Sequence, residues 1–344
     1  MLFKKDDILL VSCLLSVLVV LSTFLYVPSL PFIEKDFGNK SIIALSFSAF
    51  LIANAIAQLS TPLCLKGVHK NKIFFGCFFI LLGSIIAVWA ESAFTILIAR
   101  VIQGAGAGIC SVTSKALLRV DNKEDKLQQR MARLYLVVSF VPIAAPLIGS
   151  GLQVLGSWRF SFFTLGAVAL ISIIVTVKNN NESLNESEAL VFSRKTVVDL
   201  CKNNLYMKYG LLYTIVYSAQ ILIISVSPFI IQNFLGFSLV EYGLVISSAS
   251  FLYLIGSYLA SKKYTLPNWA IFIVSLAGFG SFYKDFFIFG IYPAFFVFGL
   301  IGPSLIAKSL ASVDKKYAFT ATSILGVLQL ILSGLVSSLT ILNI

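Results

Sequence analysis

The sequence predicts an all-α polytopic membrane protein, and three observations carry that prediction. Of the 344 residues, 58% are hydrophobic and only 12% charged, with a mean hydropathy of +0.94, whereas soluble domains carry about 25% charged residues. The 26 basic and 15 acidic side chains are too few to coat a soluble globule, so much apolar surface must face lipid. Apolar runs long enough to span a bilayer recur along the whole chain, and the basic residues between them fall mostly on one side. Cytosolic enzymes, nucleic-acid-binding domains and disordered tails are excluded. The net charge of +11 is then a matter of topology, and no nucleic-acid partner is expected.

Eleven runs approach the roughly 20 residues that a spanning helix needs. The first, about 8–28, follows Lys4 and Lys5 as a signal peptide would, yet ends in Tyr26-Val27-Pro28 without a small-residue cleavage site, so it is retained as a helix. The second, 42–64, carries Asn54 and Gln58; the third is 73–90; the fourth, 93–114, holds Arg100, Gln103 and Gly104; the fifth, 131–155, contains Pro142, Pro146 and Gly149; the sixth is 160–177. The seventh, 209–231, bears Tyr217 and Gln220, and the eighth, 240–260, bears Tyr253. The ninth, 268–283, is short; the tenth and eleventh cover 286–307 and 318–341.

With a cytoplasmic N-terminus, all but five of the 26 Lys and Arg lie on the cytoplasmic side, the exceptions being Lys35, Lys40, Arg159 and Lys284 outside and Arg100 within a span. Inverting the chain would reverse this bias, so the positive-inside rule orients it. The polar stretch 178–207 separates six helices from five, which divides the chain into an N-terminal bundle (1–177), a cytoplasmic linker loop and a C-terminal bundle (208–344). Its two Asn-x-Ser sequons are not acceptors in a cytoplasmic loop. The five cysteines and the single His69 lack metal-ligand spacing, and none of the cysteines faces an oxidising compartment. No metal, cofactor or disulfide framework is expected.

Four segments resemble the major facilitator superfamily and, within it, the Bcr/CflA type of drug-resistance exporters. Leu25-Tyr26-Val27-Pro28-Ser29-Leu30-Pro31 is similar to that family's Tyr-Leu-Pro-x-x-Pro signature, and Arg100-Val101-Ile102-Gln103-Gly104 to its Arg-x-x-Gln-Gly motif. Val141-Pro142-Ile143-Ala144-Ala145-Pro146-Leu147-Ile148-Gly149 resembles its Ala-Pro-x-x-Ala-Pro-x-x-Gly stretch, Trp158-Arg159 fits the start of its sixth helix, and Gly299, Pro303 and Ala321-Thr322-Ser323 match more loosely. The chain also departs from the family. Phe24 stands where an acidic residue is usual; the loop from Thr61 to Lys70 keeps the basic Lys66 and Lys70 but has no acid; and the family's twelfth helix is missing after the eleventh run.

The resemblance implies two helical bundles around a central cavity, a small-molecule substrate and alternating access between the sides. Arg100, costly in a span, either snorkels to the headgroups or, as the resemblance implies, hydrogen-bonds the first helix and shapes the cavity with Tyr26 and Gln103. Asn54 and Gln58 share a helix face and either glue helices together or meet a solute; Tyr217, Gln220 and Tyr253 form a comparable set. Gly104 permits close helix approach, while Pro28, Pro142, Pro146 and Gly149 are candidate conformational positions. All fifteen acidic residues fall in loops or near span ends, so coupling to a proton would need another group. The expectation is export of a small amphipathic solute by a monomer in a bacterial inner membrane. An inactive, degenerate transporter is the alternative, and a membrane enzyme is disfavoured by the lack of paired carboxylates, histidines or metal ligands.

Overall fold

The computed structural model describes residues 6–64, 70–118, 124–178, 194–262, 286–314 and 317–343. Helix α1 (Asp6–Phe24) ends where Pro28 and Pro31 remove two backbone donors; a 3-10 turn (Val27–Ser29) and the short α2 (Leu30–Phe37) continue the direction. Gly38, at φ 64°, stops α2 with its N–H on the Glu34 carbonyl. There follow α3 (Lys40–Cys64), α4 (Lys70–Val88), α5 (Ala93–Leu117, capped by Ser92), α6 (Glu124–Leu155) and α7 (Arg159–Lys178). After them come α8 (Arg194–Lys202), α9 (Asn204–Pro228) running into a π turn (Phe229–Phe234), α10 (Leu239–Ser261), α11 (Phe287–Ala311) and α12 (Ala318–Asn343). No strand occurs among the described residues.

Ten segments are long and apolar enough to cross a membrane, the first comprising α1, the 3-10 turn and α2. They match ten of the eleven apolar runs; the ninth run, 268–283, lies outside the described residues. Two differences have plain physical causes. Helix α6 begins at Glu124 rather than near 131, because good helix formers extend it through the charged stretch Glu124–Arg133 beyond the apolar segment. The stretch 178–207 was expected to be loop, but its end forms α8, which buries Thr196 and Leu200 and leaves Val198 and Asp199 exposed.

Packing sorts the helices. Helix α5 lies against α1, α3 and α4, and α7 against α1 and α4; α9 lies against α11 and α12, and α10 against α11. The early and late helices meet along two lines, α3 with α12 and α6 with α10, and where the 3-10 turn touches α9. At the start of α7, Trp158 Nε1 donates to Asp36 at 2.7 Å, while Arg159 Nε and Nη2 donate to the carbonyls of Val88 and Ala90 at 3.1 and 3.0 Å. Three helix ends are thereby tied together beside the 3-10 turn.

Candidate functional site

Arg100 sits two turns into α5 with no exposed surface. Its guanidinium lies between two rings, 4.1 Å from the centroid of Tyr26 and 4.0 Å from that of Phe50. Nη1 donates to the Ser22 carbonyl of α1 at 2.9 Å and to Gln103 Oε1 at 2.8 Å; Gln103 Nε2 in turn donates to Ser84 Oγ of α4 at 2.9 Å. One side chain therefore ties α5 to α1 directly and to α4 through Gln103. It does not snorkel. Phe50 and Ser84 carried no signal in the sequence, because a phenylalanine or serine in an apolar run is usually packing.

Beside this network α5 approaches α3 closely. A Cβ on Gly104 would collide with the Phe50 carbonyl, and one on Gly108 would come 2.5 Å from the Asn54 carbonyl oxygen, so only glycine permits this spacing. Asn54 and Gln58, both buried, bond to each other, Gln58 Nε2 donating to Asn54 Oδ1 at 2.9 Å. Gln58 Oε1 faces Gly326 of α12. The amide pair thus stands on the line where α3 meets the late helices.

The late helices contribute tyrosines. Tyr217 and Tyr253 are neighbours, and both are half-buried, as is Gln220. Tyr213 was missed, although it lies four residues before Tyr217 and seven before Gln220, on the same helix face. Its ring centroid is 6.4 Å from that of Tyr217, and Tyr253 and Tyr135 of α6 lie nearby. The set therefore draws on α6, α9 and α10, with rings that provide contact area and hydroxyls that provide polar handles.

The conformational candidates gather elsewhere. Pro28 accepts a hydrogen bond at its carbonyl from Gln232 Nε2 of the π turn at 2.9 Å, bridging early and late helices; the seventh apolar run stops one residue short of Gln232. Gly149 of α6 packs where a Cβ would meet the Leu25 carbonyl. Helix α6 runs unbroken across Pro142 and Pro146. The carbonyl of Ile143, which would have accepted from residue 147 in any case, also takes the Ser247 hydroxyl of α10 at 2.6 Å. Lys70 opens α4, and Lys66 lies outside the described residues. Among the described residues no group of three or more His, Cys, Asp or Glu could hold a metal.

The profile of the Major Facilitator Superfamily matches residues 12–340. A Bacillus subtilis protein named as an uncharacterised transporter of this type, YdgK, is 26% identical over 254 residues, which cover 70% of this chain and 63% of that relative. The multidrug resistance protein MdtL of Vibrio parahaemolyticus is 24% identical over 330 residues, covering 89% of this chain and 81% of its own length. Among solved structures, a bacterial homologue of the human lysosomal transporter Spinster superposes with a TM-score of 0.78 at 15% identity, covering 99% of this chain and 82% of its own. A D-xylose-proton symporter gives 0.75 at 16% identity, covering 97% and 89%. These two likenesses speak for the fold. The match to the family over nearly the whole length shows that the chain, a multi-pass helical protein, belongs to the major facilitator superfamily of membrane transporters.

Proposed function

We propose that this protein exports a small amphipathic solute, neutral or anionic, by alternating access across a bacterial inner membrane. In this reading the bundles 1–177 and 208–344 rock against each other about the lines α3–α12 and α6–α10, the protein works as a monomer, and Tyr26, Asn54, Gln58, Arg100, Gln103, Tyr217, Gln220 and Tyr253 shape the path. Tyr135 and Tyr213 join them. With a cytoplasmic N-terminus, the Gln232–Pro28 hydrogen bond closes the external end, and Gly104, Pro142, Pro146 and Gly149 set the packing that moves. Proton coupling would have to run through a group other than a buried carboxylate.

One observation carries the choice of substrate class: among the described residues no Asp or Glu is fully buried, Glu34 of α2 being half-buried, whereas Arg100, Asn54 and Gln58 are buried and Tyr217, Gln220 and Tyr253 half-buried. A lipophilic cation finds nothing there to offset its desolvation, a neutral solute avoids that cost, and an anion can pair with a guanidinium. The testing experiment compares solute accumulation in cells with and without the protein across a panel of phenicol-like, siderophore-like and ethidium-like compounds. Efflux should favour the neutral and anionic probes over cations of similar size; better export of the cations would overturn the substrate class, and unchanged accumulation of every probe would overturn export.

Orientation has its own test. With an internal N-terminus and eleven spans, the end of α12 is external, so a reporter active only in the cytoplasm and fused after Ile344 should stay silent. Activity there would mean an even number of crossings.

A further inference from the structure

Only two charged residues are buried among the described residues, Lys72 near the start of α4 and Arg100 two turns into α5, and no Asp or Glu is fully buried. A guanidinium carries five N–H donors and no acceptor. Nη1 uses its hydrogens on Ser22 and Gln103, whereas Nε and Nη2 have no hydrogen-bond partner among the described residues. The rings of Tyr26 and Phe50 above and below stabilise the cation through their faces, but ring faces cannot satisfy the guanidinium edge. The Tyr26 hydroxyl, buried and interacting with the same guanidinium and with Ser46, makes no hydrogen bond of regular geometry. Unmet N–H and O–H donors thus converge beside one uncompensated positive charge.

We propose that Arg100 and Tyr26 form a buried site for a monovalent anion, either the carboxylate of a transported solute or a free halide. The Nε–Nη2 edge is the side on which guanidinium grips two carboxylate oxygens in parallel, and the Tyr26 hydroxyl donates a further bond. A water molecule could take the hydrogen bonds but would leave the charge unbalanced. Entry is linked to the turn: Tyr26 immediately precedes Val27–Ser29, whose Pro28 carbonyl Gln232 holds, so releasing that contact loosens the wall of the site. The site itself rests on side-chain geometry; its use by a transported carboxylate rests on the export reading.

The test titrates the thermal unfolding of the purified full chain with sodium chloride or sodium benzoate, ionic strength being held constant with sodium sulfate. A saturable rise in Tm is expected, since a ligand that binds only the folded state stabilises it by mass action. A response to chloride alone identifies a free halide, and a response to benzoate a carboxylate. Tyr26→Phe removes only a hydroxyl that makes no hydrogen bond of regular geometry, so it should keep the anion-free Tm within about 2 °C while raising the half-saturating concentration by about tenfold, the loss expected for one charge-assisted hydrogen bond. Arg100→Gln should abolish saturation. No saturable response to either salt, or the same midpoint in wild type and Tyr26→Phe, overturns the proposal. Saturation that persists where cells show no export leaves the site standing and the export reading fallen.

Discussion

Arg100→Ala should abolish efflux, by at least about tenfold, while the protein still reaches the membrane within about twofold of its normal abundance. The substitution empties the space between Tyr26 and Phe50 and strips partners from Gln103 Oε1 and the Ser22 carbonyl. A large-to-small change in a core costs about 2–5 kcal/mol, but here it also removes an uncompensated buried charge, which offsets part of that cost. What does not recover is the α1–α5 link. Arg100→Lys should fail to restore efflux, because an ammonium cannot stack flat between two rings and hold two acceptors in one plane. Efflux assays paired with immunoblots of the membrane fraction decide the matter; near-normal efflux by the alanine variant would show that the buried guanidinium is dispensable to transport.

Gly104→Val should be severely damaging to folding. At Gly104 even a Cβ would sit inside contact distance of the Phe50 carbonyl and 3.0 Å from the Ala53 Cβ, and both neighbours are on a helix that cannot yield locally. Helix α5 would have to move away from α3, loosening Asn54, Gln58 and the Arg100 network together. Overpacking costs about 1–3 kcal/mol and occasionally more, and the backbone obstacle puts this case at about 3 kcal/mol or above. Gly151→Ala provides the control: its Cβ meets nothing within 4 Å, so it should leave stability unchanged or raise it by up to about 1 kcal/mol, the helix-propensity gain of Ala over Gly. Unfolding temperatures of the two detergent-solubilised variants check the contrast, and equal values would contradict the close approach of α3 and α5.

Much of the fold is legible in the sequence because the bilayer imposes length and polarity on each helix, and hydropathy reports both. What hydropathy cannot see is helix that leaves the membrane or bends within it. The N-terminal part of α6, rich in Glu, Arg and Lys, and the amphipathic α8 are invisible on that scale, and the 3-10 turn at Val27–Ser29 is legible only through the pair Pro28 and Pro31. The candidate site was legible in part. Arg100 and Gln103 stand out as polar groups in an apolar run, and Tyr213 was within reach through its spacing from Tyr217 and Gln220. The Ser22 and Pro28 carbonyls were not, since every residue carries a carbonyl and only tertiary structure selects which ones accept. Gln232 escaped because it falls just beyond its apolar run.

The π turn Phe229–Phe234 has a consequence for how α9 tolerates insertion and deletion. A π turn holds one residue more than an α-helix of the same rise needs, so it behaves as an absorbed insertion. Removing a residue from most positions in α9 would swing everything downstream by about 100°, one residue's share of a turn of 3.6 residues, carrying Tyr213 or Gln220 to another face. Removing one from Phe229–Ile231 would instead let the backbone close into regular α-helix with the segment beyond still in phase. The surplus residue makes the end of α9 the place where this helix can change length by one without losing register on either side.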